Sequence, residues 1–415
     1  MDKVAEFQLE VYSPHMGGFS GSPYNVDLGI IEKPRPTEIK ALWRWWYRVL
    51  LSDCKKDYIK LDEEVGKSLG SNDTASLYIV RTSDFAENIG ELCNSECIDN
   101  LVNAIINTAN SYQGVKKKRL SDLLEINDFT KLVLGNVSEN YKTKIKTLID
   151  KITKAKKTRM FLALFPKRNE GESDRIYEDQ GKLDNKEKLK NYLKRLVNDL
   201  IFFDEKLTFR LEIYTRKHVD SEQIKRDLYP LLLGLVFDNL GAGSTRGFGS
   251  VRIKEIISDY VDNEVKEKIK CIFSPNCNSR EENIKNLVES RTNYGFPCYD
   301  TTDKCSVPSI CKFGFKLVQC NGNCLGKIWK AVVVNNWDNY EKCKDLNLCN
   351  KVLGLPRGRN KKRRKSLISF KIIDDSNVLI HWFYTKDAYE CYKVKFCIDT
   401  LVNDCIPSIL TSTSM

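Results

Sequence analysis

Residues 221–256 read SEQIKRDLYPLLLGLVFDNLGAGSTRGFGSVRIKEI, and they predict three joined elements. The apolar periodicity from Ser221 to about Leu240 is that of a helix, with a kink expected at Pro230. Residues 250–256 have the pattern of a strand. Between them, the nine residues Gly241–Gly249 contain four glycines, which open backbone conformations closed to other residues. The segment therefore predicts a helix that returns through a glycine-rich loop into a strand.

Outward from this segment, the first part of the chain alternates strands and helices. The predicted strands are Glu6–Tyr12, Leu77–Val80, Met160–Phe165 and Thr208–Tyr214, and the predicted helices are Pro36–Leu51 and Lys186–Leu200. Strand, helix, two or three strands, helix, strand is the ferredoxin-like order, which the RNA-recognition motif shares. The predicted strands therefore exceed the four of the ferredoxin-like order by one. Residues 85–157 are polar and irregularly helical, and they are predicted as an insertion.

Beyond Ile257 the composition shifts toward cysteine, asparagine and lysine, which indicates a second domain. A helix is predicted at Arg280–Glu289, and strands are predicted at Ile310–Val318, Ala331–Val334, Leu367–Ile373 and Val378–Tyr384. We therefore predict an α+β fold of two ferredoxin-like (RRM-like) domains. The first is residues 1–257, with a helical insertion at about 85–157 and the loop 241–249. The second is the cysteine-rich domain 258–415.

The charge balance points to a polyanionic partner. The 415 residues include 67 basic and 56 acidic side chains, a formal net charge of +11. The basic residues cluster, and phosphate backbones are the commonest partners of such clusters. No apolar run approaches the length of a membrane-spanning helix, and Asp2, Glu6 and Glu10 interrupt the N-terminal segment. A cytoplasmic protein without membrane contact is expected.

Fifteen cysteines are many for such a chain, and twelve of them lie from Cys271 onward. Disulfides are rare in cytoplasmic proteins outside hyperthermophiles, so buried free thiols are expected for most of them. Cys320 and Cys324 flank a predicted hairpin turn, where a disulfide and half of a zinc site both stay open. Their spacing is not that of common zinc sites, and we predict neither a metal nor a cofactor.

The glycine-rich loop is a candidate site for RNA-backbone contact, because its main-chain N–H groups can approach a phosphate closely. The alternative is a helix C-cap followed by a tight turn. Dinucleotide and P-loop sites are excluded, since both require a strand before the loop and a helix after it. The candidate residues are Gly241, Gly243, Ser244, Thr245, Arg246, Gly247 and Gly249.

The predicted helix Pro36–Leu51 is both aromatic and basic. Lys40, Arg44 and Arg48 recur every four residues, opposite the apolar stripe that contains Trp43 and Trp46. Three cations in line can follow a phosphate backbone, and a solvated charged face is the alternative. On this interpretation, replacing the two arginines weakens RNA binding with little loss of stability. Trp45, at the border of the stripe, is expected either to stack on a base or to hold a loop.

Residues 357–365 form a basic run with seven cations, no acid and no apolar residue to bury. Such segments bind nucleic acid electrostatically, and a solubilising loop is the alternative. The cations are Arg357, Arg359, Lys361, Lys362, Arg363, Arg364 and Lys365.

Catalysis finds little support in the sequence. The three histidines are His15, His218 and His381, and nothing near His15 completes an acid–base set. The carboxylates form no metal-binding motif. A structural role is expected for His15, a lone general base is the alternative, and we predict that the chain is not an enzyme.

Together these segments resemble the RAMP superfamily of CRISPR proteins, which have ferredoxin-like folds with a glycine-rich loop between the last helix and the last strand. Gly241–Gly249 is similar to that loop at its glycines. Within the superfamily, the chain resembles the Cmr subunit-one family, although Ala41 stands where that family has glycine. Gly354-Leu355-Pro356-Arg357 is similar to its late motif. Its early-helix motif matches at Arg35, Pro36, Ile39, Lys40, Arg44, Trp46 and Arg48.

The resemblance implies a non-catalytic subunit of a type III-B (Cmr) CRISPR effector complex. It would engage the 3′ region of the guide RNA (crRNA) and help capture target RNA, with other Cmr subunits as partners. RNA contact by Arg35 is part of this implication. The alternative is a RAMP-type, metal-independent endoribonuclease that processes guide-RNA precursors. Such enzymes usually place a histidine in or near the first helix, and Pro36–Leu50 contains none.

Overall fold

The structure is a computed structural model, and it describes only part of the chain. The described residues are 1–13, 15, 24–25, 30–31, 33–53, 56–86, 95–111, 128–157, 186–187, 189–191, 193, 208–241, 244–298, 305, 307–321, 324–329, 331–332, 366–385 and 398–411. Several predictions concern residues outside these ranges. They include the strand Met160–Phe165, the end of the helix Lys186–Leu200, the end of the strand Ala331–Val334, Gly243 of the loop, the late motif at 354–357 and the whole basic run 357–365.

The elements follow in chain order. The strands are β1 (Lys3–Val11), β2 (Tyr24–Asn25), β3 (Ile30–Ile31), β4 (Tyr78–Ala86), β5 (Thr208–Thr215), β6 (Val251–Ile257), β7 (Phe313–Gln319), β8 (Ile368–Asp374) and β9 (Asn377–Phe383). The helices are α1 (Pro36–Leu51), α2 (Tyr58–Leu69), α3 (Ser95–Ser111), α4 (Phe129–Gly135), α5 (Glu139–Lys157), α6 (Ser221–Phe237), α7 (Asn263–Phe273), α8 (Arg280–Glu289), α9 (Cys324–Trp329) and α10 (Ile406–Thr411).

The first sheet has four antiparallel strands in the order β4-β5-β1-β6. Side chains alternate across it, so Phe7 and Leu9 of β1 share one face with Leu211 of β5 and Ile253 of β6, and all four are buried. Helices α1 and α6 contribute to the same apolar core. The α+β class is confirmed, as is the prediction of strands alternating with helices in this half.

The second sheet has three antiparallel strands in the order β7-β9-β8, near the predicted positions. The predicted strand Ala331–Val334 is wrong in its described part, because Ala331 and Val332 lie in a helical turn. A short buried apolar run looks alike in a strand and in a buried helix, so periodicity could not separate them.

The chain divides into two compact units. One comprises Met1–Gly18, Lys33–Glu87 and Lys206–Met415, and the other comprises Phe19–Glu32 and Asn88–Glu205. The predicted boundary at residue 257 falls inside the first unit, where the core of both sheets is continuous. The ring of Tyr229, for example, stacks on that of Tyr294 with centroids 4.3 Å apart. The division into compact units does not test the predicted domain boundaries, which stay a prediction.

The second unit contains the short pair β2–β3 and helices α3 to α5. Its apolar core includes Leu101, Ile105, Leu148 and Leu193. Leu193 comes from the region predicted as the helix Lys186–Leu200. This unit, which contains most of the insertion predicted at about 85–157 and extends beyond it, thus has a packed core of its own.

Among the described residues, three cysteine pairs of the first unit form disulfides, and Cys97, Cys305 and Cys405 are disulfide-bonded as well, so the expectation of free thiols is wrong for these nine. The pairs are Cys271–Cys277, Cys298–Cys311 and Cys320–Cys324, with Cα atoms 5.3, 5.4 and 5.7 Å apart. These separations suit a disulfide, and the alternative left open at Cys320 and Cys324 becomes a disulfide. Within the described ranges no group of three or more His, Cys, Asp or Glu side chains is arranged to hold a metal ion.

No helix in the described part of the chain is both long enough and apolar enough to cross a bilayer.

Candidate nucleic-acid interface

Helix α1 is fixed against the core by two tryptophans. Trp43 and Trp46 are fully buried, as predicted from the apolar stripe. The indole Nε1 of Trp43 donates to the carbonyl oxygen of Asp227 over 2.6 Å, and that of Trp46 donates to Asp238 Oδ2 over 2.9 Å. These two hydrogen bonds to α6 and the residue after it fix which face of α1 points away from the core.

The basic face of α1 is not the free solvated surface that the sequence suggested, because Asp62 of α2 pairs with it. Arg44 Nη2 lies 3.0 Å from Asp62 Oδ1, and Arg48 Nε donates to the same oxygen over 3.1 Å. These hydrogen bonds, that from Arg48 first, hold the pKa of Asp62 below its ordinary value. RNA contact by Arg44 and Arg48 stays a prediction. The expectation that their loss leaves stability unchanged is not supported.

Two cations remain available beside this pair. Lys40, one turn before Arg44, is half-buried, and burial lowers its pKa. The positive charges of Arg216 and then of Arg44 lower it further. Arg216 lies directly after β5 and was missed by the sequence analysis. The available signal was the run Arg-Lys-His at 216–218, where the predicted strand ends.

Arg35 and His15 meet at the first turn of α1. Arg35 Nη2 lies 2.9 Å from Glu38 Oε1, and His15 Nε2 lies 2.7 Å from Glu38 Oε2. Burial alone would raise the pKa of Glu38, but the hydrogen bond and charge of His15, followed by those of Arg35, bring it below its ordinary value. His15 is fully buried. This geometry fits the structural role expected for His15 better than that of a base open to substrate.

Trp45 is half-buried rather than free. Its ring packs edge-on against Phe383 of β9, with centroids 6.5 Å apart. Of the two expectations, the one in which Trp45 holds a neighbouring segment fits this contact.

The glycine-rich loop forms the tight turn that was the alternative to a phosphate site. Gly241, Gly247 and Gly249 have φ values of +79°, +84° and +68°, which favour glycine. A Cβ on Gly249 would lie 1.9 Å from the carbonyl oxygen of Leu240. No other residue therefore fits at position 249 without a backbone shift.

Hydrogen bonds also tie this loop to the second sheet. Asn239 Nδ2 donates to the carbonyl of Phe370 over 2.6 Å, and the amide of Ile372 donates to Ser250 Oγ over 3.1 Å. Gly247 and Gly249 are buried, whereas Ser244, Thr245 and Arg246 form a half-exposed 3-10 turn. RNA contact at the loop stays a prediction, and that turn is its accessible part.

The aromatic rings of Tyr12 and Tyr214, at the outer face of the first sheet, lie under the guanidinium groups of Arg252 and Arg81, so they are not the open platform on which RNA-recognition motifs stack bases. The sheet's central strand β1 carries Glu6 and Glu10, which are only 6% and 5% exposed. Arg210 Nε lies 3.2 Å from Glu6 Oε1, and Lys254 Nζ lies 2.6 Å from Glu10 Oε2. Both acids on this face are thus paired with cations, and RNA contact on the helical side stays a prediction.

A buried lysine forms hydrogen bonds at the end of α6, and no sequence pattern predicted it. Lys371 of β8 is fully buried, and its Nζ donates to the carbonyls of Leu235 and Asp238 over 2.9 and 2.7 Å. Such carbonyls lack partners within the helix. Burial lowers the pKa of Lys371 to about 7, against the opposing effect of the Asp238 carboxylate. His381 Nε2 lies 3.6 Å from that carboxylate.

We expect stability to rise with pH above about 7 in a manner that depends on Lys371. Between a folded pKa of about 7 and the ordinary value of 10.5, the unfolded chain binds a proton that the folded chain does not. The free energy of unfolding then increases by up to about 1.4 kcal/mol per pH unit. Urea titrations at pH 7.5, 8.5 and 9.5 should show a steeper rise for the wild type than for Lys371→Met. Parallel curves would refute this prediction.

Sequence similarity links the chain to known proteins. The RAMP superfamily model matches residues 35–252, which include α1 and the glycine-rich loop. The CRISPR system CMR subunit Cmr1 of Saccharolobus solfataricus is 28% identical over 270 residues. The aligned region covers 60% of this chain and 54% of that relative, so it spans about half the relative's length.

Two solved structures share the fold. One is a chain from the cryo-EM structure of the Type III-B Cmr-beta bound to cognate target RNA, with a TM-score of 0.55, 18% identity and coverage of 98% of this chain and 100% of the other. The second is a chain from the Type III-B Cmr-beta bound to cognate target RNA and AMPPnP, state 2, in the presence of ssDNA. It also has a TM-score of 0.55 and 18% identity, with coverage of 99% of both chains. At this identity the likeness concerns the fold alone.

Proposed function

The chain belongs to the RAMP superfamily, and from this membership we propose that it is a non-catalytic RNA-binding subunit of a type III-B (Cmr) CRISPR effector complex. The observation that carries the proposal is the similarity to a CMR subunit Cmr1. The family's early-helix motif, present here from Arg35 to Arg48, supports it. The resemblance inferred from the motifs is thereby confirmed at the level of the superfamily and of its Cmr subunit-one relatives.

The proposed ligands are the 3′ region of the guide RNA and the target RNA, and the proposed protein partners are other Cmr subunits. A net charge of +11 and unpaired cations beside α1 support a phosphate-rich ligand. A complex of this kind implies a cytoplasmic location. Because the acids and aromatic rings described on the outer face of the first sheet are already paired with cations, the RNA is proposed to lie on the helical side.

The fold is proposed to contain two ferredoxin-like domains. In support, the first sheet has the strand order β4-β5-β1-β6, with α1 between its first two strands in sequence and α6 before its last. The three-stranded sheet β7-β9-β8 is the proposed remnant of the second.

The absence of catalysis is also part of the proposal. His15 is fully buried against Glu38, and His381 is 1% exposed. Neither histidine therefore exposes a ring nitrogen to a substrate, as a general base must. His218 is exposed, and no carboxylate partner is described for it.

The purified protein is expected to bind labelled guide RNA without cutting it, with and without divalent cations. Gel electrophoresis after binding would measure both properties, and RNA of unrelated sequence would serve as the reference for specificity. The endoribonuclease alternative predicts defined products from a guide precursor. Cleavage that co-purifies with the protein and disappears in His15→Gln or His218→Gln would contradict the non-catalytic assignment.

Co-purification from native cells tests the complex itself. A tagged chain is expected to bring down guide RNA together with other Cmr subunits. Recovery of the chain alone, with its RNA-binding intact, would instead indicate a solitary RNA-binding protein.

The basic run 357–365 is expected to contribute phosphate contacts that depend on salt and not on base sequence. Replacing Lys361, Lys362, Arg363, Arg364 and Lys365 with alanine should flatten the slope of log affinity against log salt by roughly two to three units, if about four of them neutralise phosphates. The loss should be similar for RNAs of different sequence.

A control variant separates contact from net charge. It removes five lysines from α5, namely Lys144, Lys146, Lys151, Lys154 and Lys156. Its slope is expected to stay close to that of the wild type. Equal flattening in both variants would show that overall charge, and not the run, is responsible.

A further inference from the structure

Two cations, one on α1 and one near it, have no acid beside them among the residues that the structure describes. Lys40 is half-buried on α1, and Arg216 is exposed directly after β5. Throughout the described ranges, neither side chain makes a hydrogen bond or an ion pair. A half-buried ammonium group without a counter-charge is costly, because burial removes water and nothing replaces it.

The fold brings these cations to one place. The amide of Arg216 donates to the carbonyl of Leu77 over 2.8 Å. The amide of Leu77 in turn donates to the backbone carbonyl of Ser68 over 2.9 Å. Arg44 Nη1 lies 3.4 Å from the carbonyl of Leu69, the next residue. The end of β5 and Arg44 in the third turn of α1, one turn after Lys40, therefore flank the same connection between α2 and β4.

The electrostatics agree with this placement. The charge of Arg216 affects Lys40 more strongly than that of Arg44, which is only one helical turn away on the same face. Arg44 and Arg48 share the carboxylate of Asp62. Four cations thus have one described carboxylate among them, and an anion placed here would relieve their repulsion.

We propose that Lys40 and Arg216, with Arg44 at their side, bind one backbone phosphate of the RNA. This inference rests on the proposed function, since RNA supplies the phosphate. The guanidinium group of Arg216 can donate two parallel hydrogen bonds to phosphate oxygens, and Lys40 acts as a point charge beneath them. The site is small, and it reads no base because it contacts only the backbone.

The test measures single-stranded RNA binding as a function of salt for Arg216→Gln and for Lys40→Gln with Arg216→Gln. Arg216→Gln is expected to weaken affinity about three- to tenfold and to flatten the salt slope by about 0.7, the value for one phosphate. The double variant should lose little further slope, because both residues act on the same phosphate. A loss of about 1.4 in the double variant would indicate two separate phosphates and overturn the shared site.

Two control variants test whether the effect is specific to the charge at position 216. Arg216→Lys retains the charge and should recover most of the slope, though not all of the affinity. Lys270→Gln removes an exposed charge from α7 and should change neither quantity. Melting temperatures should be equal across Arg216→Gln, Arg216→Lys and Lys270→Gln, since these side chains are exposed.

A readout without RNA separates this site from the proposed function. Inorganic phosphate at constant ionic strength should raise the melting temperature of the wild type more than that of Arg216→Gln. If the wild type binds no RNA yet shows this difference, the proposed function fails and the anion site stands. If the wild type binds RNA and Arg216→Gln leaves affinity, salt slope and phosphate stabilisation unchanged, the inference is wrong and the function stands.

Discussion

Asp227→Ala is expected to lower the free energy of unfolding by about 3–5 kcal/mol, as breaking a buried polar network by removing one partner does. Asp227 is fully buried on α6. Its carboxylate accepts hydrogen bonds from Tyr47 (2.5 Å), Tyr78 (2.8 Å), Gln223 (2.7 Å) and Ser68 (3.2 Å). Removing the acceptor leaves the donors Tyr47 of α1, Ser68 of α2 and Tyr78 of β4 without a described acceptor, while Gln223 of α6 keeps only its 3.4 Å hydrogen bond to Ser68 Oγ.

Urea denaturation of the full chain measures this effect. Asp227→Asn keeps one acceptor oxygen and should fall between the wild type and the alanine variant. Asp259→Ala, at an exposed turn after β6, is the control and should stay within about 0.5 kcal/mol. A loss below about 1 kcal/mol for Asp227→Ala would mean that water or a rearranged side chain satisfies the donors.

Gly249→Ala is expected to cost about 2–5 kcal/mol, from two causes that add. The residue has a φ of +68°, which an alanine adopts only with strain. The new Cβ would also lie 1.9 Å from the carbonyl oxygen of Leu240. That carbonyl cannot simply move aside, because the neighbouring amide of Leu240 donates to the carbonyl of Gly249 over 2.9 Å.

Gly295→Ala separates the two causes. Its φ is +75°, but the nearest atom to an added Cβ is Arg226 Nε at 3.9 Å, so only the backbone strain applies. We expect a loss of about 1–2 kcal/mol there. Equal losses in the two variants would show that the loop relaxes around the new methyl group at position 249.

Local patterns predicted the parts of the fold that depend on neighbours along the chain. The buried stripe of α1 follows from its helical periodicity, and the glycine-rich turn follows from its composition. Helix α2 was missed although it had comparable signals. Asp57 caps it by accepting from the amide of Lys60 over 2.9 Å, and Leu61, Val65 and Leu69 recur every four residues.

That omission explains the mistaken view of the basic face. Without α2 there was no Asp62 to pair with Arg44 and Arg48, and both arginines looked free. Asp227 and Lys371 were unpredictable for another reason. Their partners lie far away in sequence, up to 180 residues for Asp227 with Tyr47 and 136 for Lys371 with Leu235. In the sequence, a charged residue on an otherwise apolar face only interrupts the periodicity, because nothing nearby in the chain identifies the distant partners that its burial requires.

The strand order of the first sheet has a consequence for synthesis. Strand β1 pairs with β5 and β6, which begin at Thr208 and Val251, and with no nearer strand of that sheet. At typical translation rates, the ribosome needs roughly 10–40 s to add the intervening residues. During that time Phe7 and Leu9 emerge with neither neighbouring strand available. The nascent chain thus carries an unpaired apolar strand, the kind of segment that chaperones bind, until β5 has been made.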